Sequence, residues 1–301
     1  MNMHKLKNYI FDFLNSLYFE KKYSQNTIKA YKFDLKEMYT FLNKYNNQTD
    51  LHQIDRSSIQ LFLSYISEKK ISARTLSRKI ATIKSFFKYL VDQEVLEKNI
   101  TKGISFPKLS KKLPLFLTEQ EINKLMELPK IHSKHPVRDK LILELLYSSG
   151  IRISELITIK IKNIRLEEGL IKVVGKGNVE RNIFVGAFAK KSLKKYLKNR
   201  KSVKSSFLFP AENKTSKTGH ISVRKVYTDV KKFLILATGN DSLSPHSIRH
   251  TTATHLLENG ADLMSVKEIL GHSSLKSTQV YTHVQKEYMR KIYKQAHPEG
   301  N

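Results

Sequence analysis

Six residues carry side chains suited to chemistry on one phosphodiester: Arg152, Lys176, His246, Arg249, His272 and Tyr281. Five are cationic or can move a proton, the sixth is a phenol that can attack, and each sits in its own local motif. The segments read YSSGIRISEL (147–156), VVGKGNVER (173–181), SPHSIRHTTATHLLENGADL (244–263) and LGHSSLKSTQVYTHV (270–284).

Ser244 followed by Pro245 is a helix start, which places His246 and Arg249 three residues apart in the first turn, beside free backbone amides. An imidazole and a guanidinium there can converge on one phosphate, although a charged, capped helix start has the same appearance. Arg152 follows Gly150, which ends an apolar helix and turns the chain. Glu155 is a ready salt-bridge partner for it; paired instead with Arg249, it offers two planar donors to two non-bridging oxygens, which lysine cannot copy. Lys176 lies in a Gly-Lys-Gly-Asn turn whose mobility would suit a general acid. The same letters suggest a phosphate-binding loop, but the G-x4-G-K-[ST] frame is missing. Asp262 can cap a helix that Gly271 ends, so His272 stands just beyond a helix C-terminus, where a histidine also has structural reasons to be. Tyr281 is one of 14 tyrosines. As a phenol of ordinary pKa about 10 it needs surrounding cations and a protonated leaving group to act as nucleophile.

Other chemistries fit less well. His246, His250, His255, His272 and His283 form a local cluster, but H-S-I-R-H lacks the glutamate of H-E-x-x-H and no carboxylate or cysteine has ligand spacing. His250 and His255, inside the helix, read as packed, hydrogen-bonded side chains. No G-x-S-x-G elbow is present. Zero cysteines exclude disulfides and thiolate catalysis.

Those residues need a scaffold. At 301 residues with 40% hydrophobic content, the chain can form two globular domains. Lysine and arginine number 54 against 27 acids, a net charge of +27 spread along the chain. A polyanion is the natural partner, nucleic acid ahead of an anionic membrane surface. No apolar run reaches membrane-spanning length and the N-terminus is amphipathic, so the expected compartment is the cytoplasm.

Residues 1–106 show helical periodicity near 4–19, 26–43, 57–69 and 74–91, as in Leu76, Ile80, Ile83, Phe86, Phe87 and Leu90. The expected bundle presents Lys69, Lys70, Arg74, Arg78, Lys79, Lys84 and Lys88 on exposed faces, suited to backbone phosphate or simply to solvent. Residues 107–114 (PKLSKKLP) read as an extended linker. Thr118 with Glu121 forms a capping box that opens a helix through about Leu128 and a second domain over 115–301. That domain predicts helices near 137–148, 154–161, 187–200, 222–236, 245–258 and 262–270. Strands at 170–174 and 182–185 are joined by the Lys176 turn. The fold class is mainly α with a small antiparallel sheet in the C-terminal domain.

Taken together, the motifs resemble the tyrosine recombinase (phage-integrase) family, and its Xer branch in particular. The likeness spans both domains. The family's order of arginine, lysine, histidine-x-x-arginine, histidine and tyrosine is filled throughout, and ATHLLENGADL, LGHSSL and YTHV extend it. Thr252 departs from the bulkier apolar residue often found in relatives. The resemblance implies a SAM-like core-binding domain followed by the catalytic domain. It implies that Tyr281 attacks the scissile phosphate to give a 3′-phosphotyrosyl link, with Arg152, Arg249 and His272 on the phosphate. His246 would manage the phenol proton, and Lys176 would protonate the leaving oxygen. No cofactor is implied, neither ATP nor metal. The implied partners are a double-stranded DNA recombination site and a homo- or heterotetramer with cyclic exchange of the C-terminal tail near His297-Pro298. A paralogous recombinase and a DNA translocase are further implied partners. The implied task is resolving chromosome dimers through a Holliday junction. An integrase or resolvase of a mobile element shares that chemistry, and the apparent lack of an arm-binding domain together with the tail favours the chromosomal role. A non-catalytic DNA-binding protein would not need Tyr281.

Overall fold

A computed structural model describes residues 6–46, 50–108, 115–175, 179–200, 205–213, 216, 218–271 and 283–299. The chain divides into two compact units, Met1–Lys112 and Leu113–Asn301.

The first unit is built from α1 (Leu6–Phe19), α2 (Gln25–Asn46), α3 (Arg56–Glu68) and α4 (Ala73–Asp92). Asp55 caps α3 by accepting from the Ser58 N–H at 2.7 Å, and Ser72 caps α4 through the Thr75 N–H. Of the α4 stripe, Ile80, Ile83, Phe86, Phe87 and Leu90 are buried with Phe13, Leu35, Met38, Leu42 and Phe62. One cation expected on the surface belongs inside. Lys79 is buried, its Nζ 2.9 Å from Asp34 and 2.6 Å from Glu37. Arg78 also pairs with Asp34, Lys69 with Glu37, and the Thr82 hydroxyl donates to Asp34. The cause is α2, whose two acids face α4 and draw in cations that helical spacing alone would leave outside. Lys70, Arg74 and Lys88 remain exposed.

The second unit contains α5 (Glu119–His132), α6 (Pro136–Ser149), α7 (Ile153–Leu156) and a sheet of β1 (Ile164–Arg165), β2 (Leu170–Val174) and β3 (Glu180–Phe184). After it come α8 (Ala187–Asn199), α9 (Val223–Thr238), α10 (Pro245–Glu258), α11 (Leu263–Leu270) and α12 (His283–Ala296). The Thr118 and Glu121 capping box is formed, but α5 runs past Leu128 through a buried Pro129. The helix expected over 154–161 stops after one turn, because the Ile159 carbonyl leaves the helical ladder to accept from the Leu208 N–H at 2.7 Å. The sheet is antiparallel in the order β1-β2-β3, with Val173 opposite Arg181 and Ile171 opposite Ile183. Periodicity missed β1, a two-residue strand too short to have a period. Every residue of α6 from Leu141 to Ser149 is buried, so the second core forms around it. A smaller core gathers Leu256, Val266, Ile269, Leu270, Met289 and Tyr293 from α10, α11 and α12. Among the described residues, no helix is long and apolar enough to cross a membrane.

Candidate active site

Three helix ends meet at the site. Helix α6 closes at Gly150 in the left-handed conformation (φ 55°), and a Cβ there would stand 2.3 Å from Leu270 Cδ2. Only glycine permits both the turn and that approach. Its carbonyl accepts from Arg249 Nη1, while Arg249 Nη2 donates to the Leu270 carbonyl at 2.6 Å. Arg249 is buried in the first turn of α10, which Pro245 opens and Ser244 caps. The guanidinium thus satisfies carbonyls that the ends of α6 and α11 leave without intrahelical partners.

Arg152 lies just beyond Gly150. The Glu155 carboxylate accepts from its backbone N–H and from Nη1, both at 3.1 Å. The expected Arg152–Glu155 salt bridge is therefore present, and a third of the arginine side chain still reaches solvent. Arg181 of β3 shares the same carboxylate, with Nη2 2.8 Å from Glu155 Oε2, and its Nη1 donates to the Ile269 carbonyl at 3.2 Å. The last two carbonyls of α11 are thus each taken by an arginine.

The electrostatics follow from this crowding. Two guanidinium groups, of Arg152 and Arg181, bind one buried carboxylate, and a third, of Arg249, lies near them on the carbonyls of two helix ends. Burial, aided by Arg152 and then Arg181, pushes Arg249 down to about 10, while Glu155 opposes the shift. Burial would raise the Glu155 carboxyl, but Arg181 and Arg152 hold it below its ordinary range. His246, exposed in the first turn of α10, is lowered by partial burial and then by His250, Arg249 and Arg152. These effects favour its neutral form, which can accept a proton.

The structure therefore brings together Arg152, Arg249 and His246. Lys176, His272 and Tyr281 lie outside the described residues, as do most of the 107–114 linker and the side chain of His283. Asp262 caps α11 by accepting from the Met264 and Ser265 N–H groups, and Gly271 closes that helix in the left-handed conformation. His255 is buried against the Tyr147 hydroxyl at 2.9 Å, whereas His250 is exposed because it falls on the outer face of α10. The Thr252 hydroxyl donates to the Tyr147 carbonyl at 2.7 Å, so this departure places a satisfied polar group in the core. Among the described residues, no group of three or more His, Cys, Asp or Glu could hold a metal ion.

Arg181 is the site residue that the sequence reading missed. Its signal was the alternation in E-R-N-I-F, which puts Arg181 and Ile183 on one strand face. Arginine at a core-facing strand position needs an acidic partner, and Glu155 is that partner.

The tail packs beside the site on its own chain. Tyr293 is buried, stacks on Phe184 and His297, and donates to the Ser148 carbonyl at 2.8 Å. The Glu299 N–H donates to His297 Nδ1 at 3.0 Å, so His297 carries its proton on Nε2 and donates to the Tyr147 carbonyl at 3.2 Å. The Glu299 carbonyl lies where a Cβ on Gly186 would be, at 2.4 Å.

Residues 115–288 match the family described as the phage integrase family, and residues 10–94 match the phage integrase N-terminal SAM-like domain. "Tyrosine recombinase XerD" of Staphylococcus saprophyticus is 39% identical over 293 residues, covering 95% of this chain and 97% of the relative. "Tyrosine recombinase XerC" of Oceanobacillus iheyensis is 37% identical over 306 residues, covering 99% of each. The crystal structure of XerH site-specific recombinase bound to palindromic difH substrate, a post-cleavage complex, is similar with 27% identity and a TM-score of 0.69. It covers 96% of this chain and 89% of that one. On this evidence of sequence and fold, the chain belongs to the phage integrase family of tyrosine recombinases.

Proposed function

We propose that this chain recombines duplex DNA at a specific site through a covalent 3′-phosphotyrosyl intermediate, with Tyr281 as nucleophile. The observation that carries this reading is the charge at the site. Arg152 and Arg181 bind one carboxylate, that of Glu155, and Arg249 is buried beside them despite its like-charged neighbours. A phosphodiester anion relieves that excess.

In the first step the Tyr281 oxygen bonds to the scissile phosphorus and the bond to the 5′ oxygen breaks. Arg152 and Arg249 hold the non-bridging oxygens with His272 as a further donor. Neutral His246 accepts the phenol proton, and Lys176 delivers one to the departing 5′ oxygen. Attack by a 5′-hydroxyl from a second duplex reverses the chemistry, exchanges strands and restores Tyr281. The link conserves the bond energy, so these steps are complete without a nucleotide or a metal.

The similarity to proteins named XerC and XerD supports a role in resolving chromosome dimers in the cytoplasm. Four protomers would bind two sites and pass through a Holliday junction. The tail that packs on its own α6 would move to the neighbouring protomer, a paralogue or a second copy, with a DNA translocase as activator.

The test begins by selecting the preferred site from a random duplex pool, then placing it in a nicked duplex that traps the covalent adduct. Tyr281→Phe should retain DNA binding and form no adduct; an adduct formed by this variant refutes the assignment.

A further inference from the structure

We propose that Arg181 is a positioning residue for the leaving-group acid, fastening the base of the turn that carries Lys176 to the loop that carries Arg152. The inference rests on reading Lys176 as the general acid. The turn is anchored on both sides. On the β3 side, Arg181 faces inward opposite Val173 and reaches both Glu155 and the Ile269 carbonyl. On the β2 side, Glu155 Oε1 lies against Gly175, where an added Cβ would be 3.2 Å away. The Gly175 N–H donates to the Val179 carbonyl at 2.8 Å, closing the hairpin at that point. One carboxylate therefore touches the residue before Lys176, binds Arg152 and accepts from Arg181.

Arg181 also packs flat on Gly271, where a Cβ would stand 2.7 Å from its Cδ. It therefore ties three elements that bear site residues in sequence: the β2-β3 hairpin before and after Lys176, α7 behind Arg152, and the end of α11 before His272. Its place carries a cost, since among the described residues Nε is buried without a hydrogen-bond partner and Arg249 carries the same charge nearby. An ammonium could reach Glu155 or the Ile269 carbonyl; the planar fork reaches both.

The test uses the full chain and two versions of the nicked duplex that differ in one atom, the 5′ oxygen or a 5′ sulfur at the cleaved phosphate. In both, the Tyr281 oxygen bonds to phosphorus. The P–O bond releases an alkoxide that must take a proton, whereas the P–S bond releases a thiolate whose conjugate acid has a pKa of about 8.5, so it departs unprotonated. Displacing a catalytic group by about an ångström costs on the order of 100-fold, so Arg181→Gln should slow adduct formation 10- to 100-fold on oxygen and less than about threefold on sulfur. Arg181→Lys should show the same selective loss, because charge without the fork does not bridge. The comparison is a ratio for one protein preparation, so loss of folded protein cancels. Lys176→Ala serves as reference and should lose about 10²- to 10⁴-fold on oxygen, with recovery on sulfur. If Lys176→Ala does not recover, Lys176 is not the acid and the Arg181 role falls with it. If Lys176→Ala recovers but Arg181→Gln is slowed equally on both duplexes, or Arg181→Lys behaves as the parent, the positioning role alone is overturned.

Discussion

Replacing Glu144 by glutamine should flatten the pH dependence of stability in the catalytic unit. Glu144 lies on α6, 2% exposed, with Oε2 buried and without a hydrogen-bond partner among the described residues. Burial pushes its carboxyl up from 4.5 to about 7, against the pull of Lys140 and with a further push from Glu127. Glu299 in the tail is raised to about 8 by burial and then by Glu144. The direction follows from which state keeps the proton. Below pH 4.5 both folded and unfolded chains hold the Glu144 proton, and there is no penalty. Between 4.5 and 7 the unfolded chain releases it while the folded chain keeps it, so stability falls as pH rises. Above 7 the loss is complete. A span of 7 − 4.5 = 2.5 units at about 1.4 kcal/mol per unit amounts to about 3 kcal/mol. For a domain of this size that corresponds to roughly 6 to 12 °C in melting temperature. Glu144→Gln keeps the shape and removes the titration, and it also relieves Glu299 of a neighbouring charge. Thermal melts from pH 5 to 8 at constant ionic strength should show the variant gaining on the parent as pH rises. Parallel curves for the two proteins would refute the reasoning.

Three further outcomes are expected. If six to ten phosphates are contacted per protomer, DNA affinity should drop about 10³- to 10⁵-fold between about 50 and 200 mM salt in a filter-binding titration; a flat response would contradict the charge argument. Gly150→Ala should cost about 1 to 2 kcal/mol in backbone strain and displace Leu270, whose carbonyl holds Arg249. Adduct formation on the nicked duplex should fall at least about tenfold, and parent-like cleavage would separate Arg249 from this anchor. Lys79→Ala should destabilise the first unit by about 3 kcal/mol in urea unfolding because Asp34 and Glu37 lose a buried partner; a change below about 0.5 kcal/mol would mark the pair as equivalent to a surface bridge.

Local patterns account for much of the architecture. The α4 stripe, the Thr118 capping box, the Ser244-Pro245 start and the Asp262 and Gly271 ends of α11 all rest on interactions within a few residues, which sequence spacing encodes. The positions of Arg152, Arg249 and His246 were legible for the same reason: each stands at a helix start or just past a helix end. Neighbours that come from far along the chain leave no such local pattern. Lys79 looked like a surface cation until α2 supplied Asp34 and Glu37, and the expected helix over 154–161 was cut short by pairing with residues near 208.

The family, the order of the six candidate residues, the two-part organisation and the excess of positive charge all follow from residue identity and short-range periodicity. Which charges neutralise one another depends instead on how distant segments pack. Glu155 binds both Arg152 and Arg181, and Arg249 is held by two helix ends 120 residues apart in the chain, at Gly150 and Leu270. Such partners are chosen by packing: a buried charge must be matched by whichever group the fold brings within hydrogen-bond reach, and no local spacing records that choice.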